Sequence, residues 1–298
     1  MSNTADTIAV REPLPAALLA RTRRSLLRIF AAAYEAEEVI KEFLNLPQIQ
    51  AALQHRHTNS APPARPESST ADDSAHPYAQ ASDFLSRPAG QWDRVLTDIP
   101  AHHRPRTLKH LVADAEERSR TDPERAHAIT SFVLRHIAAV AAPSGALLRQ
   151  LLGGRALLAH ARTLVALRAY DAALPLVAAA HAAVPRGRLY ARYRMHAQLL
   201  RAQVFAAIGR DEEALDTLAV CALVAIEHTD DCALVDALTT MAVVLCTHCA
   251  FDLARSALIL AEHVALKNGH ERPAIALHDA LAECAFFGYA EASATARR

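Results

Sequence analysis

Cys246-Thr247-His248-Cys249 is the stretch whose residue types and spacing best suit chemistry. Two thiols at this separation, with an imidazole between them, fit one side of a metal clip or a redox pair. Zinc needs four ligands, and no second Cys/His pair follows at finger spacing; Cys284, in the next stretch of helical pattern, is the further thiol placed to approach. The competing expectation is that Cys246, Cys249 and Cys284 are small buried hydrophobes in reduced form. Other reactive signatures are missing from the sequence. It has no Gly-x-Ser-x-Gly elbow, no His-Glu-x-x-His helix and no phosphate-cradling loop, its eight glycines being adjacent only at Gly153 and Gly154. The sixteen histidines are scattered. His102 and His103 precede Arg104, Arg106, Lys109 and His110, which is either a basic patch able to touch phosphate or a solvated loop. Asp211, Glu212 and Glu213 open a helical pattern, where their charge complements the helix dipole without a catalytic partner. No catalytic residue, metal or cofactor is therefore predicted, and the chain is not expected to be an enzyme.

The elements that carry these residues are helical. Of 298 residues, 52% are apolar, enough for a buried core, and 32 basic residues balance 32 acidic ones. That balance leaves no global positive field to hold nucleic acid or an anionic membrane. The longest charge-free apolar run, residues 237–251, is too short to span a bilayer and contains His248. The N-terminal stretch shows no long apolar run with a cleavage site, so a cytoplasmic protein is expected. Residues 1–56 read as an N-terminal helical segment, with apolar positions at three-to-four spacing over 15–46, one long or two short helices. Its arginines (Arg21, Arg23, Arg24, Arg28) lead and its glutamates (Glu35, Glu37, Glu38, Glu42) follow, an order opposite to the dipole preference. Two readings stand: a solvated face, or a docking surface for a partner or an antiparallel second copy, which would make a homodimer. Residues 57–80 are rich in Pro, Ser, Thr and Asp and read as a flexible linker. Residues 81–104 hold the single tryptophan, Trp92, expected to cap the helices that follow. Over 105–298 helical patterns recur at 106–118, from Pro123 onward, and at 145–167, 171–184, 189–208, 212–227, 232–247, 251–268 and 273–287, with no stretch of sustained alternation.

Three of these stretches align. Ala161, Leu164, Ala173, Val177 and Ala180 match Ala202, Phe205, Ala214, Leu218 and Cys221, and these match Ala242, Leu245, Ala254, Leu258 and Ala261. The alanines that begin each second helix are 41 and 40 residues apart. The pattern resembles the tetratricopeptide repeat (TPR) family, in particular irregular bacterial members in which a short Trp-containing segment leads into the array. The resemblance implies an all-α fold, a right-handed stack of antiparallel helix pairs (a TPR-like α-solenoid), preceded here by an N-terminal helical segment. The period departs from the family's 34 residues. The helix-turn glycine survives only as Gly209, with Arg168 and Cys249 in its place elsewhere, and the proline after the second helix only as Pro185.

The family's inner groove binds extended peptides, and its positions fall on Arg155, Arg162, His196, Gln203, Asp236 and Val243. Arg155 and Arg162 lie two turns apart on one helix face, suited to clamp a peptide carboxylate, or else are simply solvated. The resemblance thus implies a non-catalytic scaffold or regulatory module with a protein or peptide partner. A TPR-bearing transcriptional or signalling regulator whose N-terminal helices contact nucleic acid, and an all-helical enzyme, are the alternatives.

Overall fold

A computed structural model describes residues 11–44, 84–140, 146–187 and 190–267, together with Ala280. The expected linker at 57–80, Cys284 and, Ala280 apart, the helix at 273–287 lie outside the described residues. Among the described residues every regular element is helical and none is a strand: α1 (Ala16–Leu44), a 3-10 turn (Ala89–Gln91), α2 (Trp92–Asp98), α3 (Arg104–Arg118), α4 (Pro123–Val140), α5 (Ala146–Ala166), α6 (Tyr170–Ala183), α7 (Ala191–Ala207), α8 (Asp211–Glu227), α9 (Asp231–Thr247) and α10 (Phe251–Lys267). Within the 15–46 pattern, Ala16–Leu44 is one long helix. The chain forms two compact units, Ala51–Leu200 and Met1–Gln50 with Arg201–Arg298. The division falls inside α7, so the repeat region expected at 105–298 contributes to both units.

In the Ala51–Leu200 unit, α3 packs on α4, α4 on α5, α5 on α6, and α3 also on α5. Contact between neighbours and next-neighbours is what stacked helix pairs make. Trp92 is 2% exposed and lies against Phe84 and Phe132, with ring centroids 6.5 and 5.5 Å away. The segment 84–104 therefore shares the core of α3 and α4, as expected of a cap. Arg125 from α4 completes it, its guanidinium 4.9 Å from the Trp92 ring and donating to the carbonyls of Leu85 and Arg87.

In the other unit α8 packs on α9 and α9 on α10, while α1 lies against α8 and α10. The buried stripe of α1 is Leu18, Thr22, Leu26 and Ile29, a three-to-four spacing that puts all four on one face. Arg23, Arg24 and Arg28 stay exposed on the opposite side.

Of the fifteen aligned repeat positions, fourteen are buried and Leu164 is half-buried. The alanines Ala161, Ala173, Ala202, Ala214, Ala254 and Ala261 expose essentially nothing. Small side chains at these points let helix backbones approach closely.

Four turns share one geometry. Arg168, Gly209, Thr229 and Cys249 have φ of 59°, 82°, 50° and 59°, all left-handed. After each, the next residue's N–H reaches back to the carbonyl five positions earlier: Ala169 to Leu164, Arg210 to Phe205, Asp230 to Ala225 and Ala250 to Leu245, at 2.8 to 2.9 Å. Each left-handed residue donates in turn to the carbonyl three before it. This is the Schellman helix stop, which satisfies two carbonyls otherwise orphaned at a helix C-terminus. The next helix begins within two residues. α8, α9 and α10 are each 17 residues long, and the intervening turns, 228–230 and 248–250, are three residues each. Two such helices and two such turns account for a unit of about 40 residues.

Candidate functional site

Within the Ala51–Leu200 unit, α3, α5, α6 and α7 surround an open cavity of roughly 480 Å³, inside the ~300–1,000 Å³ usual for ligand pockets. Arg155 and Arg162 enter from α5, Glu116 from α3, and Arg192, Tyr193 and His196 from α7. The two arginines share a face because seven residues is close to two helical turns. Beside them α5 packs closely on α6: a Cβ on Gly154 would sit 3.2 Å from Val184 Cγ2 and 3.5 Å from the Ala180 carbonyl. A side chain there would require Val184 to give by a few tenths of an ångström, so glycine suits this approach.

The predicted clamp holds a carboxylate supplied by the chain itself. Arg155 Nε donates to both oxygens of Glu116 at 3.2 Å and its Nη2 donates to Oε2 at 2.5 Å. Arg162 Nη1 stands 3.9 Å from Glu116 Oε1. The hydrogen bond that Arg155 donates to Glu116 is the main cause that raises the Arg155 pKa above its ordinary value, so the guanidinium stays charged. Side-chain exposure of 34% for each arginine and 21% for Glu116 leaves the cluster open to solvent. With Arg192 on the rim, three guanidiniums face one carboxylate across the lining. The local charge is positive although the chain as a whole is balanced.

Of the six expected groove positions, Arg155, Arg162 and His196 thus line one cavity. Gln203 is half-buried on the later part of α7, and Asp236 is exposed on α9; both belong to the other unit. Val243, carried over with them, is exposed. Glu116 and Tyr193 carry no sequence signal. Glu116 lies 39 residues from Arg155, inside an ordinary charged stretch.

The Cys246–Cys249 stretch has a structural role. It forms the helix stop after α9: Cys249 is the left-handed residue, and His248 caps the helix. His248 Nε2 lies 2.8 Å from Asp211 Oδ2, and its Nδ1 meets the Glu12 carbonyl. Arg11 Nη1 donates to both Asp211 oxygens at 2.7 Å, and the Arg11 N–H donates to the Thr247 carbonyl at 2.7 Å. Residues 11–12 are therefore strapped across the start of α8 and the end of α9. Asp211, read from sequence as a dipole partner alone, is 8% exposed and holds this strap. Glu212 and Asp216 take Arg21 of α1, at 2.5 and 3.2 Å. Among the described residues no three metal-ligating side chains come together. Among the four described cysteines Cys221 is the buried one, and burial pushes its pKa up to about 12. Cys232 is exposed, and Cys246 and Cys249 are half-buried because they sit at a helix end.

The basic patch after His102 is partly internal. Arg104 donates to the carbonyls of Ile99 and Thr97 at 2.8 and 2.9 Å, satisfying groups left open where α2 ends. Arg106 and Lys109 are exposed. No helix among the described residues is long and apolar enough to cross a membrane. Comparison with protein-family models, with curated proteins and with solved structures returns no match.

Proposed function

We propose that the chain is a non-catalytic interaction module, a right-handed TPR-like stack, that receives carboxylate groups of a protein or peptide partner in the cavity around Arg155 and Arg162. The observation that supports this reading is the fork formed by Arg155 with Arg162 beside it. It already grips a carboxylate in bidentate geometry, in an open, positively charged cavity of peptide-compatible size. Tyr193 and His196 add an aromatic wall with polar edges, the kind of surface that orders a peptide at low entropic cost.

Fluorescence anisotropy of labelled hexaglutamate is the test. Binding that weakens at least tenfold in Arg155→Gln/Arg162→Gln, and that hexalysine does not reproduce, is the expected result. Absence of binding at low salt overturns the proposal. Equal binding of a single-stranded hexanucleotide at the same arginines would redirect it toward a regulator that contacts nucleic acid.

A further inference from the structure

We infer that Glu116 is a built-in competitor for the partner's carboxylate, so that the cavity selects runs of acidic residues over isolated ones. This rests on the reading of the cavity as a carboxylate site. Arg155 offers one fork, with Nε and Nη2 on the same edge, and Glu116 occupies both donors. Two carboxylates cannot share that edge, because like charges at hydrogen-bond distance repel strongly in a partly desolvated site. A ligand with one carboxylate that displaces Glu116 exchanges one ion pair for an equivalent one and gains little. A ligand with several gains more, because it can take the fork and engage Arg162 and Arg192 at the same time. Displacement is accessible: Glu116 comes from α3 and the arginines from α5, and all three side chains reach solvent, where an ion pair is held only weakly. Release of Glu116 also leaves its carboxylate in water instead of stranded in the core.

The experiment compares Glu116→Gln with Glu117→Gln. Glu117 is exposed on the same helix, so its loss changes the net charge equally without touching the fork. Circular dichroism melts verify that both variants fold. Expected is a three- to tenfold fall in the Kd for labelled hexaglutamate in Glu116→Gln, the order an ion pair of this exposure withholds, with Glu117→Gln unchanged. A peptide carrying one glutamate among serines should bind wild type at least tenfold more weakly than hexaglutamate. If wild type binds hexaglutamate and Glu116→Gln binds it equally or less tightly, Glu116 is a support for Arg155 and the competitor is refuted while the carboxylate site stands. An equal gain in Glu117→Gln also refutes it, leaving general electrostatics. If neither wild type nor Glu116→Gln binds, the carboxylate site itself fails and the competitor with it.

Discussion

Asp211→Asn tests whether the strap from residues 11–12 is part of the folded unit. Asp211 accepts two hydrogen bonds from Arg11 at 2.7 Å and lies 2.8 Å from His248 Nε2, with 8% of its surface exposed. Breaking a fully buried pair costs about 3–5 kcal/mol. Arg11 is 34% exposed, which lowers that figure, and asparagine retains a carbonyl for one Arg11 N–H. The lost charge at the start of α8 adds roughly 0.3–1 kcal/mol through the dipole. Together these give an expected loss of about 2–3 kcal/mol in urea unfolding. Hydrogen exchange reads the strap directly: the Arg11 amide, protected by the Thr247 carbonyl at 2.7 Å, should exchange freely in the variant while the amides inside α9 stay protected. Arg11→Ala separates the two contributions, since it removes the strap and keeps the helix-start carboxylate, and a double-mutant cycle gives their coupling. A loss below about 0.5 kcal/mol, with Arg11 protection unchanged, would refute the strap as a stabilising element.

Two further outcomes follow from single residues. Thr229 holds a left-handed φ of 50° although it is β-branched, so Thr229→Gly should raise stability by about 1 kcal/mol; a lower melting temperature would show that its hydroxyl bond to the His228 carbonyl outweighs the strain. Burial, and secondarily His127 stacked at 4.7 Å, pushes His160 down to about 4, whereas the unfolded ring titrates near ~6.5. Between these values the unfolded chain binds the extra proton, so this contribution is full above about pH 6.5 and is lost as pH falls toward about 4. For a half-buried ring it amounts to about 1–2 kcal/mol after solvent screening. Urea midpoints across that window should slope in wild type and flatten in His160→Gln; an unchanged slope would assign it to other groups.

What was legible in the sequence is what neighbours along the chain decide. Apolar spacing placed α3 and α5 to α10 within about two residues of their observed ends, and Pro123 marked the start of α4, because a helix buries one stripe and its period repeats locally. The recurrent small residues at Ala173, Ala214 and Ala254 marked positions of close helix approach, and the structure buries each of them completely. The alignment also put Arg168 and Cys249 where a glycine was expected. Their left-handed φ shows that the turn geometry is kept without one, since the two backbone hydrogen bonds of the helix stop hold the residue there. Only tertiary structure decided the partners of the charges. Arg11 meets Asp211 across 200 residues and Arg155 meets Glu116 across 39. No spacing rule reaches across such distances, and arginine and glutamate are too common in this chain for one pair to stand out. At Cys246 and Cys249 the spacing was legible, but only the fold shows that the turn they lie in stops α9 and presents His248 to the strap.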